Sequence, residues 1–179
     1  MTEAEATSAQ ESPFWRFSLR FYRNPEVAAA CIALQDEAGV DVNVLMFLLW
    51  NATLKRTLPP AAIADLDGKI GAWRNAAVIP LRELRRALKH APRVVAPGAA
   101  EAFRTRVKAV ELEAERLQQQ TMYALVPSLP FEPAPSALAA ADANVGAYAA
   151  TSAKAFPAAA VATILAAFAQ VSGETDRPV

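Results

Sequence analysis

The stretch from Phe14 to Trp50, FWRFSLRFYRNPEVAAACIALQDEAGVDVNVLMFLLW, constrains this chain more than any other. It places aromatic-rich turns, a capped amphipathic segment and an almost wholly apolar segment in immediate succession. A segment apolar on every side has to be surrounded by other elements, so Val42 to Thr57 reads as the central helix of an all-α core. The apolar run Val44–Trp50 is far shorter than the ~20 residues a membrane span needs.

The start and stop signals around this core are local and physical. Ser12-Pro13 and Asn24-Pro25 each pair an N-cap with a proline at the first helical position. Val27, Cys31, Leu34 and Ala38 then form one stripe, Gly39 ends the second helix, and Asp41 caps the third. Pro59-Pro60 opens a fourth helix with Ile63, Leu66, Ile70 and Trp73 inward. Gly68 and Gly71 within it predict either a close helix approach or a break. Pro80 is expected to open a fifth helix with Leu81, Leu84 and Leu88 inward, ended by Pro92. In the helix from Ala99 to Val126, the seam Phe103, Val107, Val110, Ala114, Leu117, Thr121 and Ala124 is expected to be buried. Arg104, Lys108, Glu111, Glu115 and Gln118 are expected on its solvated face. Sustained polar–apolar alternation is lacking, so strands are not expected.

These signals predict an all-α bundle of five to six main helices over 13–126. A disordered lead-in over 1–12 precedes it, and a Pro-rich linker over 127–135 follows. Beyond it come an Ala-rich helical extension over 136–173, split near Phe156-Pro157, and a frayed tail over 174–179.

With 179 residues, 54% hydrophobic and 20% charged, the chain reads as globular. Eighteen basic and eighteen acidic residues cancel, which removes a global pull toward nucleic acid or anionic membrane. A single cysteine, Cys31, excludes an internal disulfide, and with the polar N-terminus suggests a cytoplasmic protein. Six glycines leave little for a phosphate loop, and one histidine with one cysteine builds no metal cluster. No catalytic residue, cofactor or metal is therefore expected, and the reading leans away from an enzyme.

Two constellations remain. Lys69 to Arg93 is strongly basic, and Arg74, Arg82, Arg85, Arg86 and Lys89 are the candidate residues for an anion or partner, their guanidiniums suiting carboxylate or phosphate. The plainer alternative pairs those arginines with Asp36, Glu37, Asp65 or Asp67. The second set, Trp15, Gln35, Asp36, Asp41, Asn43 and Trp50, is a candidate polar pocket between helices. His90 reads as a solvated helix-end residue and Cys31 as a buried structural thiol.

The pattern FWxFSLxFYxxPxVAxACxxLQDEAGxDVNxLxFxLW, followed by Trp73, Pro80-Leu81-Arg82, Leu84-Arg85-Arg86 and Leu88-Lys89, resembles a family of small, uncharacterised proteobacterial proteins. The resemblance covers about Phe14 to Leu125 and implies a helical bacterial domain without supplying an activity. Three functions are expected in order: an interaction or adaptor protein using the basic helix face, a small-ligand binder or enzyme using the polar pocket, and an RNA- or ribosome-associated factor. A second copy of the chain on the Phe103–Ala124 seam is a further partner expectation.

Overall fold

The structure is a computed structural model that describes residues 12–90 and 94–175. Residues 1–11 of the expected lead-in, residues 91–93 with Pro92, and residues 176–179 of the expected tail lie outside the described residues. Ser12 Oγ accepts from the Trp15 amide at 3.1 Å and starts α1, Pro13–Tyr22. Asn24 starts α2, Pro25–Ala38, which ends at Gly39 in the left-handed region at φ 72°, where its N–H returns to Gln35 and Leu34 carbonyls. Asp41 Oδ1 accepts from the Asn43 amide at 2.8 Å and starts α3, Val42–Thr53, buried from Asn43 through Ala52.

The fourth and fifth helices are continuous. Helix α4, Pro60–Trp73, passes through a π-helical turn, Arg74–Val78, into α5, Ile79–Ala87, and a 3₁₀ turn, Leu88–His90. The glycines do not break it: a Cβ on Gly68 would meet nothing within 4 Å, and one on Gly71 would meet only the Arg74 guanidinium, at 3.4 Å. Nor does Pro80 start a separate helix. A proline lacks the N–H for regular bonding and its ring crowds the preceding turn, and the π turn just upstream, with Ile79 N–H bonded to the Arg74 carbonyl, widens the helix there.

Helix α6, Pro97–Leu125, corrects the expected seam. Val107, Glu111, Ala114, Gln118, Gln119 and Met122 are buried, while Phe103 and Val110 are 44% and 54% exposed and Thr121 and Ala124 are exposed. The heptad-like spacing is real, but it carries polar side chains inward because their partners lie on other helices. In α5, likewise, Leu84 is exposed, whereas Arg82 and Arg85 lean toward α6.

The segment after α6 is no free linker. Val126–Ser128 forms a 3₁₀ turn, and a two-residue strand β2, Glu132–Pro133, pairs antiparallel with β1, Arg56–Thr57. Ala134 N–H donates to the Lys55 carbonyl at 2.9 Å, and Leu129, Phe131 and Ala134 pack on the core. Prolines exclude regular helix here, yet they leave carbonyls and alternate side chains free to strap the segment down.

The Ala-rich helices α7, Ala137–Thr151, and α8, Ala158–Thr175, complete the core rather than extend from it. Alanines let α7 lie close along α3 and α4, and α8 along α2. Helix α8 runs through Gly173 to Thr175. Phe168 is fully buried, 6.4 Å edge-on from Phe21, and Phe14 and Phe47 meet edge-on at 5.3 Å. Asn144, also fully buried, donates to the Leu48 and Arg56 carbonyls and accepts from the Leu58 amide, tying α7 to α3 and β1. Among the described residues no helix is long and apolar enough to cross a membrane.

Candidate functional site

A cleft of about 750 Å³ opens where α1, α2, α3, α5 and α6 converge. Its apolar lining is Trp15 and Leu19 from α1, Ile32 from α2, Val42 and Met46 from α3, and Leu112 from α6. Its polar lining includes Ser18, Asn43 and Gln119. Gln119 Nε2 donates to Asn43 Oδ1 at 2.8 Å, bridging α6 to α3. Ser18 and Gln119 are 4% and 5% exposed, and Ser18 Oγ and Gln119 Oε1 are buried without a hydrogen-bond partner among the described residues. Most buried polar atoms in folded proteins have a partner, so two orphaned oxygens on residues of one cleft mark it out.

The basic side of the cleft carries an ion-pair lattice. Glu111, buried on α6, takes Arg85 through both Nε and Nη2, the latter at 3.1 Å, and Arg82 Nε at 3.4 Å. Arg82 Nη2 reaches Glu115 at 2.7 Å, and Arg86 reaches Asp36 on α2 at 3.0 Å. Burial pushes the Glu115 carboxyl above its ordinary range, against the pull of Arg82. The hydrogen bond from Arg86 holds Asp36 below its ordinary value. Bonding to Glu111 raises Arg85 further, and burial raises the Tyr22 phenol at the cleft edge.

Beyond this lattice lie Lys89 and His90, at the end of the α5 arm, and Lys108 on α6. Among the described residues these three make no ion pair. The cleft lining thus holds five full cations (Arg82, Arg85, Arg86, Lys89, Lys108) against three carboxylates (Asp36, Glu111, Glu115). Cations without an ion pair among the described residues, around a partly apolar recess, suit a ligand with an anionic end and an apolar body.

The two constellations read from the sequence therefore meet. Arg82, Arg85, Arg86 and Lys89 line the same cleft as Trp15, Gln35, Asp36 and Asn43. Three candidates lie elsewhere. Asp41 Oδ2 accepts from Arg74 at 2.8 Å and from Gln118, and Arg74 also bonds Asp67 at 2.6 Å. Burial opposes the Arg74 charge, but the Asp67 and Asp41 hydrogen bonds outweigh it and raise its pKa. The Tyr148 hydroxyl accepts from the Asp41 amide, so this cluster clamps α3, α4, α6 and α7. Burial raises the Tyr148 phenol too. Trp50 is packed among Phe14, Phe47 and Tyr123, with centroids 5.5, 6.0 and 5.6 Å away.

Sequence reasoning missed Ser18, Lys108, Glu111, Glu115 and Gln119. The available signal was the recurrence of Glu111, Gln118 and Gln119 in helical register with Val107, Ala114 and Met122, a stripe of polar residues sharing a face with apolar ones.

The fold and cleft define an all-α helical bundle with an inter-helix recess. The chain matches the family described as "Protein of unknown function (DUF2390)" over residues 13–122, more than half its length, and it belongs to that family. No curated protein and no solved structure is detectably similar to it.

Proposed function

We propose that this protein is a binding module whose inter-helix cleft takes a small anionic ligand with an apolar body. The observation that carries the reading is the convergence of Lys89 and Lys108, without an ion pair among the described residues, with an apolar lining in one recess of about 750 Å³. That volume falls inside the ~300–1,000 Å³ typical of small-molecule sites. The adaptor reading of the α5 basic face draws less support, because Arg82 and Arg85 are spent on Glu111 and Glu115. A helix whose cations are neutralised by its neighbour has little charge to offer an acidic partner. The buried Cys31 suits a reducing compartment, which is the support for a cytoplasmic location.

One observation favours a second reading. Leu19, Tyr22, Ile32 and Leu112 are exposed large side chains that all line this cleft, and an acidic amphipathic helix from another protein would cover them.

Thermal denaturation with inorganic phosphate, pyrophosphate and citrate tests the first reading. Stabilisation by at least one of them, lost in the Lys89→Glu/Lys108→Glu double variant, supports it. Indifference to all three, with tight binding of a synthetic acidic amphipathic peptide, moves the assignment to the second.

A further inference from the structure

Resting on the anionic-ligand reading above, we infer that the ligand is a free nucleoside monophosphate, its phosphate between Lys89 and Lys108 and its base toward Asn43 and Gln119. The charge count favours a doubly charged phosphomonoester over a monocarboxylate. Asp36, Glu111 and Glu115 are consumed by Arg86, Arg85 and Arg82, which leaves an excess of two full cations. These two sit on different elements, Lys89 after α5 and Lys108 on α6, with His90 beside the first. A carboxylate neutralises one such charge; a phosphomonoester carries about −1.5 to −2 at pH 7 and presents three acceptor oxygens.

The interior of the cleft separates a nucleotide from a simple phosphorylated metabolite. A sugar phosphate would set hydroxyls against Trp15, Leu19, Ile32, Met46 and Leu112, whereas a planar heterocycle buries its faces there. The heterocycle's edge needs donors and acceptors opposite it, and side-chain amides are the groups that read such edges bidentately. Two amides are in place. Their mutual bond uses Gln119 Nε2 and Asn43 Oδ1, which leaves Gln119 Oε1 as an orphaned acceptor, with the Ser18 hydroxyl orphaned on the same lining. An orphaned buried polar atom costs about 1–3 kcal/mol, so both residues are unsatisfied until a donor-bearing edge arrives.

Size and charge also separate a free nucleotide from a strand of RNA. A recess of about 750 Å³ accommodates one nucleotide, and with Arg82, Arg85 and Arg86 paired to carboxylates its lining offers no extended run of free cations for a phosphodiester backbone.

Isothermal titration of the full chain with 5′-AMP, 5′-GMP, adenosine, guanosine, inorganic phosphate, pyrophosphate and a 5′-phosphorylated RNA hexamer tests this. At least one monophosphate is expected to bind about tenfold or more tightly than its nucleoside and than inorganic phosphate, the scale of one or two charge-assisted hydrogen bonds. Lys89→Glu/Lys108→Glu is expected to abolish that advantage at unchanged melting temperature, because both side chains are exposed and make no ion pair among the described residues. Inorganic phosphate or pyrophosphate binding as tightly as the monophosphates would leave the anion cleft standing and overturn the nucleotide assignment. A hexamer that binds more tightly than any mononucleotide, with steep salt dependence, would overturn it in favour of RNA. Absence of binding by every probe would remove both the nucleotide and the anion cleft.

Discussion

Asn144 offers a sharp test of how the C-terminal helices are built into the fold. Its side chain is wholly buried and makes three hydrogen bonds to backbone: Nδ2 to the Leu48 carbonyl at 3.1 Å, Nδ2 to the Arg56 carbonyl at 3.0 Å, and Oδ1 from the Leu58 amide at 2.9 Å. Replacing it with leucine keeps much of the volume but removes every one of these partners. The Leu58 N–H, on a residue that is itself buried, is then stranded at a cost of about 1–3 kcal/mol. The two carbonyls lose about 1 kcal/mol each, the usual net worth of such a bond. The sum is about 3–5 kcal/mol, a large part of the ~5–15 kcal/mol by which folded domains are stable. Urea denaturation followed by circular dichroism measures it. The midpoint should fall sharply with little change of slope, because the unfolded surface is nearly the same. A loss below about 1 kcal/mol would mean that α7 is not held to α3 and β1 as the geometry requires. A biphasic transition would mean that the C-terminal helices unfold by themselves.

Other perturbations follow from the same structure. Arg82→Glu should destabilise by about 2–3 kcal/mol, because it removes the ion-pair partner of Glu115 and sets a third carboxylate beside Glu115 and Glu111. Arg86→Glu, whose pair with Asp36 is half exposed, should cost about 0–1 kcal/mol; equal losses in the two melting curves would contradict the lattice described above. Gly39→Ala should cost about 1 kcal/mol through its positive φ alone, whereas Gly68→Ala, in open helix, should gain about 0.5–1 kcal/mol. Differential scanning calorimetry should therefore give shifts of opposite sign. Burial raises the Glu115 carboxyl, so the native state binds its proton more tightly than the unfolded chain. Between the ordinary value of 4.5 and its raised value, its contribution to stability falls as pH rises, and Glu115→Gln should flatten that limb of a stability–pH profile. Burial also pushes the Cys31 thiol up to about 12 from 9.0, so it should resist a thiol reagent at pH 8 until the protein unfolds. Rapid labelling of native protein would contradict its burial.

Helix starts were legible because their causes are local. Ser12, Asn24 and Asp41 cap the helices they were expected to cap, and Gly39 stops α2 as an αL residue, since each uses atoms within three or four positions. Pro80 was misleading for the complementary reason. A proline's local preference says a helix begins or breaks, whereas a π turn that absorbs it needs neighbouring elements to hold it. The inward set of α6 was shifted to Glu111, Gln118 and Gln119 because their burial depends on partners at Arg85, Asp41 and Asn43, all far away in sequence. The two candidate constellations were each found on their own residue types. That Arg82 and Asn43 border one cleft could be known only once α5 and α3 were both placed against α6.

The sequence by itself determined an all-α protein, the identity of its central apolar helix, and most helix boundaries. Capping, glycine stops and apolar periodicity act over one or two turns and are written in adjacent residues. Only the tertiary structure decided which arginines are neutralised, which polar side chains turn inward, and that a Pro-rich strap and Ala-rich helices close the core. Among the described residues it left Lys89 and Lys108 without an ion pair beside the apolar lining. Those outcomes depend on which surfaces meet, and the pairing of a charge or the burial of an amide is a property of the meeting rather than of either segment.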